Sequence, residues 1–550
     1  MKRTKKMIAW ATALAMAVVP AATSRADENT DASENAFAKY DETVEISSVK
    51  NLGASGLDFP EGDSLEDNVW SRYLEETLNI KLNWLWSTNS EQYPQKVNIA
   101  ITSDDIPDVM QVSASQLKMM YDNGQIMDIT DVMKENLAPY TEEVLNSDGG
   151  LGLQAATFDG KLYAIPKVGS PLLTAKVLWI RTDWLENLGL ELPKTVEDMR
   201  NLAEAFTTQD PDGNGENDTI GILGPGNSDH MNAIGGNQFG LDPLFSSFQS
   251  YPQYWLQGED GTVEYGSIQP ETRDALEKIS ELYTNKLIDP EMLVRSDSKE
   301  PLLAGKVGIF FGPWWCGYTV ADATLAGAAD WHAYFTPLSE DGNYYTHMAE
   351  PTTQYVVASK ACKNPEAAFK IINYLIENQQ KWVDEGISTT EMVTSDFYPL
   401  YNTYDNADEI EVSYDVLTKY LAGETTMDDV DFSTHKLLKS DMEAVKKLKK
   451  EPYDDFSLDK WNLDSDIAKN NLPRLVAILV GDAPSVNEKY VPVYNAYNGQ
   501  TETMETKWAN LKKMEEETFS KIVMGKADIS EFDTFVKNWK SQGGDQILKE

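Results

Sequence analysis

The chain has 550 residues, with 47 Lys+Arg against 89 Asp+Glu and a formal net charge of −42, which excludes electrostatic attachment to nucleic acid or an anionic bilayer as its main role. Hydrophobic residues at 41% and aromatics at 10% exclude a disordered acidic polymer, and the length exceeds what one core organises, so two or more lobes are expected. The 14 Trp and 25 Tyr are more than cores require, because Trp is seldom fully buried, and some of them are expected to line a groove.

At the N-terminus Lys2, Arg3, Lys5 and Lys6 precede an apolar run from Met7 to Val19, then Pro20 and small residues ending at Ala26. This pattern predicts an export signal over residues 1–26, cleaved before Asp27, and the run is too short to span a bilayer. Its loss would take the net charge to about −47. No Cys lies near the cleavage point to carry a lipid anchor. Residues 27–42 are polar and acidic and read as a tether. Strands are then expected over Thr43–Ser48 and Ile80–Trp86, with an amphipathic helix over Asn68–Leu78 between them. In the second strand Leu82, Trp84 and Trp86 share a face; Trp84 is assigned to the core and Trp86, at the strand's end, to a groove. A helix over Tyr93–Ile101 and a strand over Val109–Val112 follow, and the alternation argues for parallel βαβ units. Phe158–Pro166 reads as a turn between short strands.

The stretch Val177–Ile222 holds the most specific chemistry. A strand containing Trp179, expected in the core, leads through Arg181 into a helix bearing Trp184, then a second amphipathic helix, then an acidic loop. In that loop Asp210, Asp212, Asn214, Glu216 and Asp218 alternate with Pro211, Gly213, Gly215 and Asn217, the oxygen spacing of a calcium-binding EF-hand loop with its sharp-turn glycine at Gly215. The twelfth position, where a bidentate Glu belongs, is Gly221. The expectation is therefore a structural Ca2+ site and not a sensor.

Further on, Tyr251, Tyr254 and Trp255 lie in a loop whose composition offers no periodicity to bury them. Gly305–Gly312 reads as a buried strand that delivers Trp314 and Trp315 to its C-terminal end, where ligands of α/β sheets collect. After a loop with His347 and Glu350 come a strand over Gln354–Ser359 and a helix over Asn364–Asn378, and from about residue 408 helices dominate. Cys316 and Cys362 form no CxxC motif and are expected as two buried thiols. His230, His332, His347 and His435 are scattered singly, and no HExxH, GxSxG, P-loop or dinucleotide glycine motif occurs. No enzyme is expected. A secreted glycoside hydrolase or lyase, needing only two carboxylates, is the enzymatic alternative, and a peptide receptor is the alternative among binding proteins.

Several stretches together resemble the extracellular solute-binding proteins of carbohydrate ABC transporters, in the large calcium-loop branch with the LplA-like lipoproteins and alginate-oligosaccharide binders. They are Ile106–Val109, Phe158–Pro166, Arg181–Leu185 with Leu188 and Gly189, Asp210–Asp218, Gly305–Gly308, Ala361–Ala368 and Trp539–Gly544. The chain departs from that pattern in lacking a lipobox Cys and in having Thr219 where an alginate-type binder has an acidic calcium ligand. The resemblance implies an α/β two-lobe periplasmic-binding-protein-like fold (type II), with a ligand cleft between the lobes and a helical C-terminal region. On that basis residues 43–166 are assigned to lobe 1, 167–346 to lobe 2 with the loop at 210–218, 347–407 to a return into lobe 1, and 408–550 to helices packing on both lobes. It further implies a monomer that captures an oligosaccharide outside the cell membrane and delivers it to permease subunits, with no nucleic-acid partner. A sugar cleft needs aromatic platforms flanked by carboxylates, amides and Arg. The candidates are Trp314, Trp315, Trp255, Trp86 and Tyr254, with Glu350, His347 and Arg181 as polar partners.

Overall fold

The computed structural model describes residues 35–550 except 54–55, 227–237, 259–260, 296, 328, 349, 351, 378–396, 401–405, 433–434, 436, 449–460, 464–465, 498 and 500. The expected signal lies outside these residues. In chain order the strands that matter here are β1 (Val44–Asn51), β2 (Ile80–Thr88), β3 (Val109–Val112), β4 (Ala164–Pro166), β5 (Lys176–Arg181), β6 (Ile220–Ile222), β7 (Val307–Pro313), β8 (Trp331–Tyr334), β9 (Tyr345–His347), β10 (Tyr355–Ala358) and β11 (Val491–Val493).

The first lobe begins with β1 and β2 in parallel, joined by the helix Val69–Leu78. Asn68 caps that helix by accepting from the Trp70 and Ser71 amides, Asn79 ends it in a left-handed conformation, and Trp70, Leu74 and Leu78 recur every fourth residue to face the core. The register of β1 and β2 shifts between Ser48 and Val49, so Leu85 is an extra residue between Trp84 and Trp86. The bulge undoes the shared face expected for these tryptophans: Trp86 packs against the core, whereas half-buried Trp84 donates from Nε1 to the Leu65 carbonyl at 3.2 Å. Beside this pair lies a three-stranded sheet in the order β3-β10-β4. Asp108, just ahead of β3, ties the two together by accepting from Ser47 N at 2.9 Å and Ser47 Oγ at 2.6 Å.

The second lobe is built on a four-stranded sheet in the order β8-β5-β7-β6. β5 alternates between two cores, as a strand buried on both faces must. Leu178 and Ile180 join a cluster completed by the helices Glu502–Val523 and Glu531–Trp539, and Val177 and Trp179 join one completed by Glu409–Leu421, Leu438–Leu448 and Asp466–Val476. The described helices beyond residue 408 thus pack around the second sheet, where the sequence reading has them on both lobes. The same region contains one strand the helical pattern hides, β11, parallel to β9. Cys316 and Cys362 are buried free thiols in different clusters.

The expectation of parallel pairing holds only in part. β1/β2, β7/β6 and β9/β11 are parallel, while β10 is antiparallel to both its neighbours and β5 to both of its own. The reason is the chain path. β4 ends where the chain leaves for the second lobe, and β5 and β10 each begin where it arrives from the other one, so an arriving strand runs opposite to the departing ones.

Lys176 opens β5 as an ammonium 3% exposed, paired with the equally buried Asp242 carboxylate. Removing one member of a buried pair leaves an uncompensated charge. Asp242→Ala is expected to cost ~3–5 kcal/mol in urea unfolding, and the double change Lys176→Met with Asp242→Leu is expected to recover much of that loss.

Candidate functional site

Two crossing segments between the lobes lie side by side; the chain crosses a third time after Ala407, which packs in the first lobe's core, and before Ile410, which packs in the second's. One runs from Lys167 to Ala175, between β4 and β5; the other runs from Met348 to Gln354, between β9 and β10. They are laced together where the Lys167 amide donates to the Gln354 carbonyl at 2.8 Å. Ser170 caps the short turn Pro171–Leu173 of the first. Leu172, Ala175 and Met348 form a small apolar cluster of their own, with Tyr490 packed against it.

The strand ends define the cleft. In the first lobe Val112, at the end of β3, and Pro166, at the end of β4, both lie opposite Tyr355, which opens β10. In the second, Pro313 at the end of β7 lies opposite Lys176 at the start of β5. Trp314 and Trp315 follow Pro313 directly, so they stand at the lip of the second lobe beside the crossing segments. Both are half-buried. Trp315 Nε1 donates to the Leu173 carbonyl at 2.9 Å, and Leu173 itself is 48% exposed. The Trp314 indole nitrogen is buried without an acceptor among the described residues. Gly481 backs this lip so closely that an added Cβ would stand 2.3 Å from the Trp314 carbonyl oxygen.

The other expected residues fall into three groups. His347, Tyr254 and Glu350 gather at the returning segment. His347 is buried, with Tyr254 edge-on at 4.7 Å and Tyr251 at 5.4 Å, and Tyr254 donates its hydroxyl to the Met348 carbonyl at 3.0 Å. Burial, and secondarily the nearby Lys176 charge, push the imidazole down to about 3. Half-buried Glu350 is raised by burial, and its charge adds to the effect of burial in raising the Tyr254 and Tyr355 hydroxyls.

Trp255 and Trp86 pack inward. Trp255 is 6% exposed, 4.8 Å from Tyr265 and stacked at 5.6 Å on Trp508 of the helix Glu502–Val523, a partner some 250 residues away that no local pattern announces. Trp86 lies 5.6 Å from Tyr93 and under the Lys96 ammonium.

Arg181 and the acidic loop lie at the opposite end of the second sheet. Five residues along β5 from Lys176, roughly 17 Å away at ~3.3 Å per residue, the buried Arg181 guanidinium forks onto Asp183 and covers the Trp184 ring at 4.6 Å. The loop 210–218 precedes β6, which runs parallel to β7, so it too sits away from the tryptophan lip. Lys306, leading into β7, pairs there with Asp218 at 2.8 Å.

Within the loop Asp210 Oδ2 accepts from the Gly215 amide at 3.1 Å, and Asp210, Gly213 and Gly215 take left-handed conformations. Among the described residues no three His, Cys, Asp or Glu side chains close around a metal position. The donor set nonetheless fits a hard cation. Asp210 Oδ1 is buried without a partner, and the Asn214 side-chain nitrogen bridges Asp212 Oδ2 at 2.9 Å and Asp218 Oδ1 at 3.3 Å. Turning that amide over puts its oxygen where its nitrogen now stands. The Asp212 carboxyl is raised by burial and by the neighbouring Asp210. Thr219 is no substitute ligand, because its hydroxyl donates to the Phe206 carbonyl at 2.6 Å in the core, and Gly221 is walled in by the Ala203 and Leu287 carbonyls.

Four residues at the cleft escape the sequence reading: Lys167, Leu173, Tyr490 and Tyr494. Tyr494 is 41% exposed, and its hydroxyl is raised by burial and secondarily by the charge of Asp148 in the first lobe. The tyrosines flank β11, and the alternation in Tyr490–Tyr494 is a strand signal in a region otherwise read as helical.

His347 sets a pH dependence of stability. Its folded pKa lies below its unfolded one, so the unfolded chain binds the extra proton and stability falls as pH drops from about 6.5 toward 3. His347→Asn is expected to flatten that part of the profile by on the order of a few kcal/mol at its acid end, measured as urea midpoints of the two proteins across the window.

Residues 58–382 match the family of bacterial extracellular solute-binding proteins. The polygalacturonan/rhamnogalacturonan-binding protein YtcQ of Bacillus subtilis is 22% identical over 495 residues, 87% of this chain and 86% of that one. The fructooligosaccharide ABC transporter substrate-binding protein FusA of Streptococcus pneumoniae is 28% identical over 233 residues, 40% of this chain and 41% of that one. Among solved structures, FusA in complex with kestose aligns over 92% of this chain and 97% of its own, with TM-score 0.53 and 17% identity. The alginate-binding protein AlgQ2 without calcium ion aligns over 93% and 97%, with TM-score 0.52 and 15% identity. At these identities the structural likeness speaks for the two-lobe fold alone. The chain belongs to the bacterial extracellular solute-binding protein family.

Proposed function

We propose that this protein captures an oligosaccharide between its lobes and hands it to the membrane permease subunits of an ABC importer, as an exported monomer that binds without turnover. The observation that carries the reading is the tryptophan pair at the end of β7, half-buried beside the two crossing segments with exposed Leu173 alongside. Sugars offer apolar ring faces edged by hydroxyls, and aromatic surfaces beside polar groups complement them. YtcQ, FusA and AlgQ2, unlike in sequence to this chain, are all named for binding carbohydrate. Trp314 and Trp315 are the stacking platforms and Glu350 the hydroxyl-binding carboxylate, while Tyr254 and His347 brace the returning segment. Export rests on the signal pattern at residues 1–26, and no helix among the described residues is long and apolar enough to cross a membrane.

Calcium belongs to this proposal as a structural ion. Asp210, Asp212, Asn214 and Asp218 would hold it through side-chain oxygens and Glu216 through its backbone carbonyl. When bound it neutralises carboxylates that otherwise repel one another. Asp212→Ala is expected to lower the melting temperature in calcium while leaving saccharide affinity within about threefold, a difference below ~1 kcal/mol. Purified protein free of metal in elemental analysis, with no thermal shift on adding calcium, would remove the ion from the proposal.

The test of the main reading is calorimetry against an oligosaccharide panel and a peptide library. Heat from saccharides is expected, and heat from peptides alone would overturn it. With the laced crossings as hinge, saccharide binding is expected to close the lobes and reduce the radius of gyration in small-angle scattering; an unchanged radius in saturating ligand would show that the lobes do not move.

A further inference from the structure

Lysines withdrawn from water in this chain have partners. Lys50 donates to the Tyr398 carbonyl, Lys176 pairs with Asp242, and Lys370 donates to the Asn35 and Ala38 carbonyls. Lys167 is different. It is the first residue beyond β4, where the chain leaves the first lobe for the second, and its backbone is fixed by the amide bond to Gln354. Its side chain is half-buried, and among the described residues nothing accepts from its ammonium. Asp148 packs near this sheet edge, an added Cβ on Gly152 lying 3.1 Å from its Oδ2 and 3.2 Å from Pro166. That carboxylate is engaged by the Gly150 and Gly152 amides at 2.8 Å each. Glu350, on the other crossing segment, adds to the effect of burial in raising the Tyr254 and Tyr355 hydroxyls.

A half-desolvated ammonium without an acceptor costs stability, and in a chain with nearly twice as many acids as bases a counter-ion would be easy to supply. We infer that Lys167 is the charge anchor of the cleft, and that the saccharide it takes carries carboxylates, as uronic-acid units do. The inference rests on the carbohydrate reading above and specifies its ligand class. A sugar hydroxyl is served equally well by a neutral donor. A carboxylate repays the desolvated ammonium, because a hydrogen bond between two charged groups is about twice as strong as a neutral one. Burial pulls the Lys167 ammonium below the usual lysine range and raises Asp148 and Glu350. The bulk charge offers little opposition, since surface charges are screened beyond about 8 Å at physiological ionic strength.

The experiment is calorimetry on the full chain and on Lys167→Met, with oligogalacturonides and alginate oligomers set against uncharged galacto- and fructo-oligosaccharides of matched length. An acidic oligomer is expected to bind, and Lys167→Met to weaken it by ~10–100-fold. Lys167→Arg should keep most of the affinity. The ligand-free Lys167→Met protein is expected to melt at the same temperature or higher, since it loses no partner; a lower melting temperature would mark Lys167 as structural and overturn the assignment. Binding of uncharged oligomers with the acidic ones silent would overturn the inference and leave the carbohydrate reading standing. Equal weakening of both classes by Lys167→Met would place the ammonium on hydroxyls and overturn the acidic class. Heat from peptides with every saccharide silent would overturn both readings.

Discussion

The antiparallel pairing of Lys176 with Pro313 decides which end of the second lobe stands beside the crossing segment. It brings the start of β5, where the chain arrives from the first lobe, level with the end of β7, where Trp314 and Trp315 leave the sheet. Trp315 then reaches back to the Leu173 carbonyl, so an aromatic lip and a crossing segment share one hydrogen bond. The pairing is stabilised from below by the buried Lys176–Asp242 ion pair and from both sides by the cores into which β5 alternates. A buried ion pair adds little net stability, but breaking it is costly. Placed at the first residue of β5, it penalises any register that would move Lys176 out of reach of Asp242.

What was legible in the sequence follows the range of the interactions involved. The helix Val69–Leu78 is written in its cap and its spacing of apolar residues, and the buried strand β7 in its continuous apolar run with two tryptophans at its end. These depend on neighbours a few residues away. Trp255 lacked any such pattern, and its burial under Trp508 is a contact between distant parts of the chain. The antiparallel sense of β5 and β10 was hidden for a related reason, since it depends on where the chain crosses between lobes and not on any local signal. Trp84 and Trp86 were misaligned by a single bulged residue, which reverses a period-two argument at once. Lys167 carries no signature at all: an unpartnered ammonium is a property of the surroundings, and only the folded chain shows that Lys50, Lys176 and Lys370 have acceptors while among the described residues it has none.

The acidic loop was the most readable chemistry in the chain, and it lies at the opposite end of the second sheet from the tryptophan lip. Its position still bears on the cleft. The loop leads into β6, Lys306 of the loop's ion pair leads into β7, and the two strands run parallel with Val307 opposite Ile220. Fixing Asp218 to Lys306 therefore fixes the near ends of two adjacent strands. The far end of β7 is the tryptophan lip, which Trp315 ties to the Leu173 carbonyl. A strand held at both ends positions the residue that follows it more tightly than one held at a single end. A cation in the loop would thus brace the near end of β7, while the tryptophans at its far end are held by contacts that the loop does not make.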